Sequence, residues 1–195
     1  MDKFLLAIAF ALSLGQFAGA QSPPQWQIYG AGSYGHADVS PPLPGISKVN
    51  SWGYNIGVEE YVNRWIGGVA EFGDYYRKPV IDMRPFGLPG LKERVRTHFT
   101  YLMGGPQVRH SFGNFTPFGR AMLGFSRRIF NDQNGFISSD ENAVAFGTGG
   151  GVDIRLRPHI ALRPLEADYV LTNFAGDRQG SWKVSAGVVF HWGQR

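Results

Sequence analysis

Cysteine is missing from all 195 residues. Disulfide stapling is therefore excluded, and so is the lipid-modified cysteine of a lipoprotein. Charge is scarce as well: charged residues make up 17% of the chain, and the net charge of +4 is spread along it. No basic cluster of the kind that reads nucleic acid is present, so no nucleic-acid partner is expected. Beyond the N-terminus no apolar run approaches the about 20 residues a membrane helix needs. A chain without such runs can enter a membrane only as a closed barrel, because every backbone polar group must be paired within the protein.

What is abundant points the same way. The 27 glycines and 14% aromatic residues suit many strands relieved by glycine and banded by rings. At the N-terminus Lys3 precedes an apolar run over residues 4–14 and then the small residues Ala18, Gly19 and Ala20. This is the pattern of a secretory signal peptide over residues 1–20, cut before Gln21, and the run is too short for an anchor helix. Residues 21–195, a length of about 175, suit a single domain.

The clearest alternation lies at the end, over residues 182–192. Trp182, Val184, Ala186, Val188, Phe190 and Trp192 share one face, while Lys183, Ser185, Gly187, Val189 and His191 share the other. Period two is a strand, and an apolar outer face over a small or polar inner one suits a barrel wall. Seven further stretches alternate, over residues 26–36, 52–62, 65–76, 94–108, 115–130, 143–156 and 160–171. The two faces of the first are not told apart by residue type. In the fourth, Val95, Thr97, Phe99, Tyr101 and Met103 form the apolar face, which puts Arg94, Arg96 and His98 inside. In the seventh, the parity changes between Leu162 and Leu165, so a bulge near Arg163 and Pro164 is expected.

Between these stretches, short turns near Asn63–Arg64, 111–114 and 157–159 alternate with longer loops over 37–51, 77–93, 131–142 and 172–181. The first two loops carry prolines that should stop a ladder, Pro41, Pro42, Pro44, Pro79, Pro85 and Pro89. Eight strands with loops sorted short and long predict an all-β, eight-stranded, antiparallel, up-and-down transmembrane barrel with both termini on the short-turn side. A soluble lipocalin-type barrel also alternates, and the tryptophans separate the two. Trp26, Trp65 and Trp192 fall at one set of strand ends and Trp52 and Trp182 at the other, the girdle an indole forms where one side is apolar and the other wet.

Several stretches resemble a known family. The signal peptide, Thr116-Pro117-Phe118-Gly119-Arg120, the run from Gly149-Gly150-Gly151-Val152-Asp153 through Arg163 to Asp168-Tyr169, and Ser185-Ala186-Gly187-Val188-Val189-Phe190 are similar to the small outer-membrane barrels of the OmpA/OmpX-like superfamily of Gram-negative bacteria. The resemblance covers essentially residues 21–195. It implies the bacterial outer membrane, a lipid and lipopolysaccharide surround, and insertion by the barrel-assembly machinery. Such barrels end on an aromatic residue, whereas Gly193, Gln194 and Arg195 follow Trp192 here.

With that register the lumen-facing charges are Glu59, Glu71, Arg94, Arg96, His98, Arg120, Asp153, Arg155, Arg163, Glu166 and Asp168. An eight-stranded barrel is only wide enough to be filled by its side chains, so these charges should pair into a plug. Arg77, Lys78, Lys92, Arg127 and Arg128, with Arg94 and Arg96, fall near the external strand ends, at the height of lipopolysaccharide phosphates. Catalysis is not expected: of the five histidines, His98 and His191 face the lumen whereas a lipid-cleaving site must open to lipid, and His110-Ser111 are adjacent, at a short turn, rather than spaced as in lipid A deacylases. Asp132, Asp140 and Glu141 match no metal-ligand spacing, and no metal or cofactor is expected. The expected function is a monomeric structural or surface-interaction barrel, adhesin-like or contacting lipopolysaccharide. A narrow gated pore is the alternative and a lipid A-modifying enzyme the third.

Overall fold

The computed structural model describes residues 25–43, 46–77, 80–82, 92–132, 138–174 and 177–192. Residues 1–24, with the expected signal peptide, and residues 193–195 lie outside them. Nine strands follow in order, β1 Gln25–Leu43, β2 Ile46–Tyr61, β3 Ile66–Arg77, β4 Val80–Asp82, β5 Lys92–Arg109, β6 Phe115–Asp132, β7 Ser138–Arg157, β8 Ile160–Phe174 and β9 Asp177–Trp192. Each barrel strand pairs antiparallel with its neighbours, β1 closes against β9, and β3 pairs with β5. The result is a closed eight-stranded barrel, with the three-residue β4 set only against the outer end of β5. Closure leaves no unpaired edge within the wall, which hydrocarbon requires.

Three turns at one end are short, residues 62–65, 110–114 and 158–159. The middle one is a tight hairpin in which Phe112 and Phe115 exchange backbone hydrogen bonds of 2.7 and 3.1 Å around Gly113, whose φ of 63° suits a residue without Cβ. At the other end the strands run well past the expected limits. Residues 37–43 and 46–51 belong to strands rather than to an open loop: Ala37 pairs with Val49 and Asp38 with Lys48, and the ladder resumes at Leu43 and Ile46. Pro41 and Pro42 sit in the gap where the register shifts, which is how a ladder tolerates a residue that cannot donate. Likewise β6 and β7 pair out to Asn131 and Ser138.

Residue by residue the wall alternates as expected on most strands. On β1 the open question resolves with Gln27, Tyr29, Ala31 and Ser33 buried and Ile28 and Tyr34 exposed. On β8 the register shifts between Arg163 and Glu166, so that both residues are buried while Leu162 and Leu165 both face out. On β5 the expected order of faces is inverted: Tyr101, Met103 and Gln107 are buried, and His98 belongs to the outward set. The apolar face misleads here because the interior of so narrow a barrel is itself packed, and its core includes Tyr29, Tyr75, Tyr101, Met103 and Met122.

Candidate functional site

The lumen is crossed by buried ion pairs in two layers. Toward the short-turn end, Arg163 on β8 donates to Asp153 on β7 at 2.7 and 3.0 Å, to Glu166 at 3.0 Å and across the lumen to Glu59 on β2 at 2.8 Å. Its guanidinium lies between the rings of Phe118 and Tyr29, 4.2 and 4.3 Å from their centroids. In the second layer Arg120 on β6 reaches Glu71 on β3 at 2.9 Å and both Asp168 at 2.8 Å and Glu166 at 2.7 Å on β8. Lys183 on β9 adds contacts of 2.6 Å to Glu71 and 3.0 Å to Asp168. These side chains tie together walls far apart in sequence, and none of the carboxylates is left unpaired.

Three cations face five carboxylates in these layers, and neutral donors supply the remaining hydrogen bonds. Tyr29 and Tyr101 donate to Glu71, the latter at 2.6 Å, Tyr61 donates to Glu59 at 2.9 Å, and Asn55 bridges Glu71 and Glu166 at 3.0 and 3.1 Å. Buried carboxylates saturated in this way bind the wall together, and loss of any one cation removes an ion-pair partner from three carboxylates at once.

Of the residues expected inside, Glu59, Glu71, Arg120, Asp153, Arg163, Glu166 and Asp168 meet in this network. Arg155 lies apart from it, at the short-turn mouth. His98 is on the other side of the wall, 2.5 Å from Asp74 and stacked on Tyr76, a consequence of the inverted faces of β5. The side chains of Arg94 and Arg96 lie outside the described residues. Lys183, Tyr29, Asn55 and Tyr101 were not singled out from the sequence as members of the network. Lys183 had a legible signal, a lone cation on the polar face of the final strand, while Tyr101 was hidden by its place among apolar neighbours.

The outer surface is banded. Ile56, Val58, Phe72, Leu123, Phe125, Val144, Phe146, Val184 and Phe190 are exposed around the middle. At the short-turn end Trp26 pairs with Trp192, and the Trp65 ring packs at a tilt against His110, which packs at a tilt in turn against Phe112. At the other end Trp52 packs edge-on against Tyr34 and Trp182 against Tyr169. Trp192 lies ten residue steps beyond Trp182. At about 3.3 Å per residue and a tilt of roughly 40°, that spacing places the two aromatic rings ~25 Å apart, the height of an outer-membrane apolar band.

Just below the upper ring the outward face turns polar between β2 and β6. Asp74 accepts from Tyr76 at 2.9 Å and lies beside Tyr54 and His98, and on the same rung follow Thr100 and the exposed Arg127. Arg128 differs from its neighbour. It shares the inward parity of Arg120 and Ser126 and pairs with Glu141 at 2.5 Å, so at the external end of β6 its side chain turns away from the outer face that Arg127 occupies. Lys78 and the side chains of Arg77 and Lys92 lie outside the described residues, as do those of Asp132 and Asp140. Among the described residues no group of three or more His, Asp or Glu side chains is arranged to hold a metal ion.

A family model described as the outer membrane protein beta-barrel domain matches residues 4–190. Among solved structures the chain is similar to the Neisserial surface protein A, with 13% identity and a TM-score of 0.64 over 85% of this chain and 96% of that one. It is also similar to Ail, the attachment invasion locus protein of Yersinia pestis, with 16% identity and a TM-score of 0.55 over 89% and 100%. OprG of Pseudomonas aeruginosa aligns with 12% identity and a TM-score of 0.51 over 90% and 99%. At these identities the likeness is one of fold. No curated protein matches the sequence.

Proposed function

The chain belongs to the outer membrane protein beta-barrel family and resides in the bacterial outer membrane, and on that premise we propose that it is a monomeric, non-catalytic barrel that works through its external surface. The short turns then face the periplasm and the long hairpins the exterior. The observation that carries this reading is the contrast between a lumen filled by ion pairs and an outward polar strip, Tyr54, Asp74, Tyr76, His98, Thr100 and Arg127, set just below the upper aromatic ring. A guanidinium exposed at that height is placed to take a lipopolysaccharide phosphate through charge-assisted hydrogen bonds, while the ring hydroxyls meet sugar.

The hairpins above the membrane are the surface that an adhesin role would use. Ail, an attachment protein of this shape, has also been solved with the heparin analogue sucrose octasulfate. That supports polyanion contact as a use to which such a scaffold can be put, without transferring residues. The closing strand β9, apolar outside and ending at Trp192, is the segment we assign to recognition by the assembly machinery.

The test separates two adjacent arginines. Arg127→Ala should lower the lipopolysaccharide that co-purifies with the barrel several-fold, and Arg128→Ala should leave it unchanged. Equal retention by Arg127→Ala and the parent, quantified by phosphate and sugar analysis, would sink the lipopolysaccharide reading.

A further inference from the structure

Inside the periplasmic mouth, below the Arg163 layer, the barrel opens into a cavity of about 560 Å³. Its lining is unlike the rest of the lumen. Arg64 from the β2–β3 turn, Arg109 from the end of β5 and Arg155 from the end of β7 all border it, with His159 and His191. The one carboxylate in the lining, Asp153, is already engaged by Arg163 through two hydrogen bonds of 2.7 and 3.0 Å. The lining thus sets three guanidinium groups against one carboxylate in a partly enclosed space, with Glu59 and Asp153 of the adjoining layer nearest to Arg109.

The cations are held in different ways. Arg109 is set into the wall, its guanidinium 3.4 Å from the centroid of the Tyr61 ring and donating to the Gln27 amide oxygen, while that amide's nitrogen donates to Glu59 at 3.0 Å. Among the described residues Arg64 and Arg155 make no side-chain hydrogen bond or ion pair with another residue. The buried Nε2 of His191 has no partner either, although its Nδ1 donates to Gln27 at 3.0 Å. Ser111 and Thr116 line the same space and are joined hydroxyl to hydroxyl at 3.0 Å. Trp26 and Trp192 supply an apolar rim.

We propose that this vestibule is a binding site for a small oxyanion-bearing solute of the periplasm, one carrying carboxylate or phosphate groups. Planar guanidinium groups pair with either by parallel N–H···O bonds, and the Arg64 and Arg155 heads are the ones available to do so. The volume lies within the range of small-molecule pockets, roughly 300–1,000 Å³. Solute enters from the periplasm and goes no further, because the Arg163–Glu59–Asp153 layer closes the lumen above it. The site is thus independent of the external surface and of any lipopolysaccharide contact.

Isothermal titration of the folded barrel in detergent, in a buffer free of phosphate and carboxylate, provides the test, with citrate and inorganic pyrophosphate as probes. One saturable site is expected for at least one probe, and the probe that binds identifies the chemistry. The affinity should fall about tenfold in Arg155→Gln, fall further when Arg64→Gln is added, and weaken as sodium chloride is raised. Both variants should keep the parent's gel shift on heating, since neither arginine supports the ion-pair layers. Failure of both probes to saturate, or equal binding by the parent and the double variant, overturns the proposal.

Discussion

Tyr29 and Tyr101 reach the centre of the lumen only because the strand facing each carries a glycine. A Cβ at Gly57 would strike the Tyr29 ring, and one at Gly73 the Tyr101 ring, well inside van der Waals contact. Neither ring can swing aside, because the Tyr29 hydroxyl is held by Glu71 and Arg120 and the Tyr101 hydroxyl by Glu71 and Lys183. Gly30 and Gly32, on the outward face of β1, have open space where a Cβ would go. Gly57→Ala and Gly73→Ala should each destabilise the barrel by about 1–3 kcal/mol in urea titrations followed by tryptophan fluorescence, the usual cost of overpacking. Gly30→Ala and Gly32→Ala should stay within roughly 0.5 kcal/mol. The difference was not legible in composition: a glycine count suggests strands, but only the rings opposite reveal which glycines are required.

At the scale of the strand, alternation located eight wall segments, and it failed where residue type and face part company. On β5 the rule that apolar faces lipid was defeated by Tyr101 and Met103, which belong to the packed interior. The alternation itself was right and only its polarity was wrong. On β8 the sequence held more information, since the change of parity between Leu162 and Leu165 required an extra residue, and the register shift stands between Arg163 and Glu166. Three steps on β8 there oppose two on β9, with Arg163 facing Gly187 and Glu166 facing Ser185.

That geometry makes a deletion prediction. Removing Pro164 restores strict alternation and keeps Arg163, Glu166 and Asp168 all inward. Removing Ala167 instead turns Asp168, Val170 and Thr172 toward lipid. The first deletion should still yield a barrel that shifts in mobility on heating in a denaturing gel, and the second should not. Two heat-modifiable products would show that the bulge does not set the register. The same parity argument separates Arg127 from Arg128, which sequence position alone had placed together at the external rim.

For the molecule as a whole, the question is whether a closed wall encloses a path. Architecture and membrane placement were legible from the aromatic ends, the sorted loops and the missing apolar runs, because hydrocarbon constrains every strand alike. What fills the barrel depends on contacts between strands distant in the chain, such as Arg163 with Glu59 and Lys183 with Glu71, and no local pattern encodes them. These contacts bear directly on conduction. An ion entering from the periplasm passes the vestibule and then meets guanidinium and carboxylate groups that are buried and mutually bonded. To pass, it must break charge-assisted bonds at two successive layers, in an interior with no spare width. Planar bilayers containing the parent protein should therefore show no steady large openings. Arg163→Ala combined with Glu59→Ala removes the cation and one anion of the lower layer together and empties the centre of the constriction, and Arg120→Ala opens the upper one. The triple variant should conduct measurably where the parent does not, provided its gel shift on heating shows that it has folded. Steady openings in the parent would instead restore the pore reading and displace the external surface as the working part of the protein.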